Sequence, residues 1–220
     1  MVTQPVPSPD DFRRLPIGVV LAGGRGLRFG GTDKSFLDLN GRPLLAHVVD
    51  RIAPQVGELV LNTNSDDRRY RAYGLSLCAD NLHPAPATGP LVGLTSVIEA
   101  LRGRGDMQSS LLSVPVDTPF LPRDLAHRLA SALGATDASI AYAATAERDH
   151  PIVALWRPQS RDPVRRLFDR QPTISLHGLM AALHAERVTF AHTPHDPFFN
   201  VNRIEDLATA DRIAASTGGF

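Results

Sequence analysis

A glycine-rich segment between residues 21 and 34 carries the first sign of chemistry in this sequence. It holds five glycines, two arginines and Lys34, the single lysine among 23 basic side chains. Glycine lets backbone N–H groups approach phosphate oxygens closely, and lysine supplies a compact point charge where arginine supplies a planar fork. The segment therefore predicts phosphate binding. A mobile surface turn is the alternative for the loop, and a solvated side chain is the alternative for Lys34.

Two better-known phosphate loops do not fit this segment. A Walker A loop needs Gly-Lys-Ser/Thr, whereas Thr32 and Asp33 separate Gly31 from Lys34. A dinucleotide fingerprint needs Gly or Ala three residues after Gly26, where this chain has Phe29. The loop alone indicates phosphate binding and no particular reaction.

Polar side chains also follow three later apolar runs: Asn62, Asp80 and Asp117. Asp117 stands between an apolar strand and a Thr-Pro turn, and a carboxylate there suits an octahedral Mg²⁺ that bridges phosphate oxygens. Strand-end and turn-capping roles are the alternatives for all three residues.

The elements that must position these residues alternate between short apolar runs and segments of helical period. Strands are predicted at residues 17–21, 58–62, 75–78, 109–116, 138–144, 151–156 and 188–191. Helices are predicted from Pro43, Pro90 and Pro122, and at residues 161–170, 173–185 and 203–216. This order predicts a single-domain three-layer α/β/α sandwich at residues 16–220 with a mostly parallel sheet, an antiparallel strand after about residue 140, and a flexible leader at residues 1–15. Ligands of such sheets bind at the carboxyl ends of the strands, where the glycine loop and all three polar residues fall.

Composition excludes several classes of function. Formal net charge is zero with both signs interspersed, so nothing favours nucleic acid or a membrane as a partner. The apolar run at 17–22 is too short for a signal peptide or a membrane span. The single cysteine excludes an internal disulfide and suits a reducing cytosol, so a cytoplasmic location is expected.

Motifs along the whole chain resemble those of the sugar-phosphate and cofactor nucleotidyltransferases, and most of all the molybdenum cofactor guanylyltransferases. The resemblance starts with Leu-Ala-Gly-Gly-x-x-x-Arg-x-Gly, Asp33-Lys34 and Gly41-Arg42-Pro43-Leu44, and continues through Thr88-Gly89-Pro90 and Val-Pro-Val-Asp-Thr-Pro. The most specific pieces are Asp149-His150-Pro151 and Phe-Asn-Val-Asn, which ends at Asn202.

The resemblance implies a Rossmann-like nucleotidyltransferase that moves GMP from GTP to molybdopterin, with or without its molybdenum, and releases pyrophosphate. It implies Mg²⁺ as cofactor and transient contact with molybdenum-insertion or acceptor proteins. Lys34, Asp117 and Arg28 would be catalytic, and His150, Asn200 and Asn202 would bind the acceptor. The implied nucleotide site contains Leu21, Ala22, Gly23, Gly24, Arg25, Lys34, Asn62, Asp80, Gly89 and Asp117.

Several alternatives stay open at this point. Asn202 could cap the last helix in a capping box with Glu205, and His150 could be a structural histidine. His192 and His195 are three residues apart, but Pro194 between them breaks a helix and no fourth ligand is placed, which argues against zinc. A cytidylyltransferase and a nucleotide-binding module without turnover are the competing functions, since residue chemistry alone does not select guanine over cytosine.

Overall fold

The computed structural model describes residues 14–23, 33–81, 89–192 and 194–216. Its strands in chain order are β1 (Ile17–Leu21), β2 (Asp38–Leu39), β3 (Arg42–Pro43), β4 (Glu58–Asn62), β5 (Ser76–Cys78), β6 (Leu111–Pro115), β7 (Ile140–Ala144), β8 (Asp149–Trp156) and β9 (Glu186–Thr189). Seven of them form one sheet in the order β5-β4-β1-β6-β8-β7-β9, and β2 and β3 form a separate hairpin. The predicted sandwich with a mostly parallel sheet is confirmed.

Strand β1 lies in the interior of the sheet and pairs in parallel with β4 and β6, so that Leu21 stands opposite both Asn62 and Pro115. Strand β8 runs antiparallel to β6 and β7, which confirms the expected antiparallel strand. Its amino end, which carries His150, therefore lies at the same sheet edge as the carboxyl ends of β1 and β6. We call this the carboxyl edge.

The α-helices are α1 (Leu44–Ile52), α2 (Pro90–Gly103), α3 (Leu125–Gly134), α4 (Arg161–Arg170), α5 (Leu176–Ala182) and α6 (Ile204–Ser216). Helices α1 and α3 bury apolar faces on one side of the sheet, against residues such as Val20. Helices α2, α4 and α5 pack on the other side, against Val19 and Leu21. Successive strand residues point to opposite faces, so β1 contributes to both cores and is fully buried.

A third, smaller core lies beside the carboxyl edge. It joins Leu39 of the hairpin and Leu44 of α1 to Phe120, Val201 and the helix α6 residue Ala210. The backbone N–H of Asn40 donates to Asp211 of α6, at 3.2 Å. Helix α6 is thus tied to the segment that follows the glycine-rich loop.

Several predicted bounds were wrong by a few residues, each for a local reason. Pro43 is not the first helical residue, because it is extended and pairs with Asp38 in the hairpin. Pro122 starts a turn, with Leu125 N donating to its carbonyl, and α3 begins only at Leu125. The last strand ends at Thr189 rather than at residue 191. Within the described ranges no helix has the length and apolarity that a bilayer crossing requires.

Candidate active site

The carboxyl end of β1 is fixed by its two neighbouring strands. Val116 N donates to the Leu21 carbonyl at 3.1 Å, and Ala22 N donates to the Asn62 carbonyl at 2.9 Å. A Cβ on Gly23 would stand 3.5 Å from Asn62 Oδ1, so the start of the loop runs directly over that amide. The predicted residues Gly24, Arg25 and Arg28 lie outside the described residues.

Lys34 and Asp117 meet at this edge, although they are far apart in sequence. Lys34 Nζ donates to Asp117 Oδ2 in an ion pair whose side chains are 21% and 16% exposed. Asp117 follows the end of β6, and its carbonyl accepts the backbone N–H of Val201 at 2.9 Å. Partial burial strengthens such a pair over a solvated one, so the predicted phosphate and metal residues form one charged unit.

Asn202 contacts the same unit, since Lys34 Nζ donates to its Oδ1 at 3.3 Å. The capping box with Glu205, the alternative for Asn202, does not form. Asp206, not Glu205, accepts the backbone N–H groups of Asn202 and Arg203, at 2.7 and 2.9 Å. Because Asp206 stabilises the start of α6, the side chain of Asn202 is left to face Lys34.

Asn62 and Asp80 form a second polar unit on the other side of β1. Asn62 Nδ2 donates to Asp80 Oδ1 at 2.9 Å and to the Cys78 carbonyl at 3.1 Å. Asn64, which the sequence analysis missed, donates to Asp80 Oδ2 at 2.7 Å and accepts the backbone N–H of Asp80. Asn64 stands two residues after Asn62, and this spacing was the sequence signal that could have identified Asn64.

Helix α2 approaches Asn62 through Gly93, to which the sequence assigned no role. A Cβ on Gly93 would lie 2.1 Å from Asn62 Oδ1 and 3.0 Å from Leu21 Cδ2, so no larger residue fits without displacement. The predicted residue Gly89 precedes this helix with φ of +99°, a conformation that favours glycine, and Pro90 follows as the first helical residue. An isolated glycine in a helical pattern is a usable sequence signal for such close packing.

His150 lies 7% exposed, with its ring 4.7 Å from that of Phe198. Its Nε2 and the Oδ1 of Asn200 are buried and have no hydrogen-bond partner in the described part of the chain. Buried polar atoms of this kind are rare in proteins, because each loses its hydration without compensation. Each of these two predicted acceptor residues therefore has a buried polar atom that is available for a hydrogen bond to a ligand.

Burial lowers the pKa of His47, His150 and His195 below the ordinary value of 6.5, because desolvation disfavours the imidazolium. The unfolded chain therefore binds protons that the folded protein does not, and stability is lost as the pH falls below about 6.5. We expect the midpoint temperature of thermal unfolding to decrease as the pH is lowered from about 8 to about 5.5. In His150→Gln we expect this decrease to be smaller. Equal slopes in the two proteins would exclude His150 as a contributor.

His192 and His195, the histidines considered for zinc, each contact another side chain. His192 Nδ1 contacts Glu147, and the ring of His195 packs edge-on against Phe120 at 5.5 Å. Within the described ranges no three His, Cys, Asp or Glu residues cluster closely enough to hold a metal ion.

The donor chemistry at Asp117 fits Mg²⁺ rather than a softer metal. It offers carboxylate oxygens at a partly exposed position. Magnesium keeps most of its waters and needs only one or two protein carboxylates when substrate phosphates complete the shell. One aspartate would meet that requirement if substrate phosphates lie beside it.

The fold and this charged edge define the class of α/β nucleotidyltransferases. A profile of the MobA-like NTP transferase domain matches residues 18–196, and the chain belongs to that family. A molybdenum cofactor guanylyltransferase of Bradyrhizobium sp. (strain ORS 278) is 41% identical over 198 residues, which cover 90% of this chain and 92% of the relative. One of Nitrobacter hamburgensis is 36% identical over 92% of this chain and 96% of its own length.

Solved structures support the same fold at low sequence identity. Molybdopterin-guanine dinucleotide biosynthesis protein A of Archaeoglobus fulgidus superposes with a TM-score of 0.68 at 20% identity, covering 91% of this chain and 99% of its own. A CMP:2-keto-3-deoxy-manno-octonic acid synthetase complexed with CTP gives 0.69 at 16% identity, covering 91% of this chain and 98% of its own. The fold is thus shared by transferases of different bases, and it does not select the nucleotide.

Proposed function

We propose that this protein transfers GMP from GTP to molybdopterin, in its free or molybdenum-loaded form, to give the guanine dinucleotide cofactor and pyrophosphate. The observation that carries the proposal is the contact of Lys34 Nζ with both Asp117 and Asn202. One ammonium group thus contacts both Asp117, the predicted metal residue, and Asn202, a predicted acceptor-binding residue. The high identity of guanylyltransferase relatives over nearly the whole chain supports guanine as the base.

On this proposal, the acceptor's phosphate oxygen attacks the α-phosphorus of GTP, and the bond to the bridging oxygen of the pyrophosphate breaks. Lys34 neutralises charge that develops on the departing pyrophosphate. Asp117 and the substrate phosphates would hold Mg²⁺, which would neutralise further charge at the phosphates. Positioning and electrostatics account for most of the rate in such reactions, with no covalent protein intermediate.

The other predicted residues bind the two substrates. Asn62 and Asp80 contact base or ribose, and Leu21, Ala22 and Gly23 line the nucleotide with backbone groups. His150 and Asn200 hydrogen-bond the pterin through their unpartnered buried atoms. We also propose a cytoplasmic location, and transient contact with proteins that insert molybdenum or accept the product.

Titration with GTP and with CTP, each with Mg²⁺, tests the choice of base. We expect GTP to bind at least about tenfold more tightly, which corresponds to about 1.4 kcal/mol. Tighter binding of CTP would contradict the guanylyl assignment and favour a cytidylyltransferase. Pyrophosphate release in the presence of molybdopterin then tests turnover. Tight GTP binding without any release would identify a nucleotide-binding module.

A further inference from the structure

Tyr70 lies in a short 3₁₀ helix, Arg68–Tyr73, that follows β4 and packs against the turn that carries Lys34. Its side chain is completely buried. The hydroxyl oxygen lies 2.7 Å from Asp33 Oδ2 and 2.7 Å from Ser35 Oγ. The two residues that flank Lys34 in sequence are therefore held by the same buried hydroxyl.

The hydrogen bonds around this hydroxyl are mutually consistent. Tyr70 has one proton, which it donates to the Asp33 carboxylate, and its oxygen can accept the proton of the Ser35 hydroxyl. The second oxygen of Asp33 accepts the backbone N–H of Ser35 at 3.0 Å and caps the 3₁₀ turn Lys34–Phe36. Burial raises the pKa of Tyr70, mainly through desolvation, so the hydroxyl keeps its proton at neutral pH.

Aromatic contacts support the same packing. The rings of Phe36 and Tyr70 lie 4.7 Å apart, and the Arg69 guanidinium stands 3.8 Å above the Phe36 ring. The 3₁₀ helix thus contacts the turn on both sides of Lys34. The lysine stem is flexible, so a fixed backbone at the turn is needed to limit the positions that its ammonium can reach.

We propose that Tyr70 is a positioning residue, whose hydroxyl fixes Asp33 and Ser35 and thereby aims Lys34 at Asp117 and the departing pyrophosphate. This inference rests on the proposed role of Lys34 in transfer. It assigns to Tyr70 no contact with either substrate.

The test is a double-mutant cycle of Tyr70→Phe and Lys34→Ala, measured as kcat and KM for GTP. We expect Tyr70→Phe to lower kcat about tenfold, since small displacements of catalytic groups have effects of this size or larger, with KM changed less than about twofold. In the Lys34→Ala background the same substitution should change kcat by less than about twofold, because the group that it positions is gone.

Tyr73→Phe is the matched control. Tyr73 ends the same 3₁₀ helix, is partly buried, and has no hydrogen-bond partner for its hydroxyl in the described part of the chain. It should leave kcat unchanged in both backgrounds. If Tyr70→Phe does not fold, as judged by circular dichroism, Ser35→Ala replaces it in the cycle with the same expected pattern.

Two results with Tyr70→Phe overturn the inference while leaving the role of Lys34 intact. One is an unchanged kcat in Tyr70→Phe, and the other is an equal loss with and without Lys34, which identifies a general structural role. If Lys34→Ala alone leaves kcat unchanged, the proposed role of Lys34 fails, and the positioning role fails with it. A loss in Lys34→Ala without a loss in Tyr70→Phe leaves the proposed function intact and removes only Tyr70 from it.

Discussion

Asp117→Asn should abolish nucleotidyl transfer and leave much of the GTP binding intact. The substitution keeps the size of the side chain and removes its charge at the residue where Lys34 and the proposed Mg²⁺ meet. Loss of one preorganised electrostatic group costs on the order of 10²–10³ in kcat, and loss of a metal ligand adds to that. Pyrophosphate release measures transfer, and calorimetric titration with GTP measures binding.

Asp124→Asn is the control for this prediction. Asp124 lies in the same connection between β6 and α3, is exposed, and makes no side-chain capping bond to the helix that it precedes. Its replacement changes the net charge by the same amount and should leave kcat unchanged. Unaltered pyrophosphate release by Asp117→Asn would refute the assigned metal role.

Gly93→Ala is expected to disrupt the nucleotide site from the side of helix α2. Its Cβ would stand 2.1 Å from Asn62 Oδ1, so either the amide or the helix must move. Overpacking of this kind costs about 1–3 kcal/mol in stability. A displaced Asn62 also breaks its bond to Asp80, so we expect GTP to bind at least about tenfold more weakly, a difference of about 1.4 kcal/mol.

Gly103→Ala provides the comparison within the same helix. A Cβ at Gly103 meets nothing within 4 Å, so alanine there should leave stability unchanged or slightly raised. Chemical denaturation and GTP titration of both variants measure the two effects. If Gly93→Ala keeps the wild-type stability and the wild-type affinity for GTP, α2 can shift at little cost and its contact with Asn62 is not needed for GTP binding.

The fold was predictable because its core elements are short and strongly apolar. The bounds of β1 and β4 match the predicted runs, since strands buried on both faces appear as continuous apolar stretches. The ends of the later elements were less accurate. Prolines such as Pro43 and Pro122 fit either a turn or a first helical position, and only tertiary contacts decide which of the two forms.

Residue types at strand ends predicted the two polar units of the site but not its contacts. Asn62 and Asp117 follow apolar runs, so the parallel sheet alone brings them to one edge. Contacts such as Tyr70 with Asp33, or Gly93 with Asn62, join elements whose relative positions depend on packing across the sheet. No local pattern encodes the contact of Tyr70 with Asp33, which is why Tyr70 was missed, whereas Asn64 and Gly93 carried sequence signals that were not used.

The third core has a consequence for how this protein opens. Helix α6 starts just after Asn202 and packs on Leu39 and Leu44 beyond the Lys34 turn. Local unfolding of α6 would therefore expose the apolar surface at Leu39 and Leu44. The same event would release the segment that carries Asn202. We therefore expect the backbone amides of α6, of the β2–β3 hairpin and of the segment at Asn202 to exchange with one shared free energy of opening, set by the stability of the last helix.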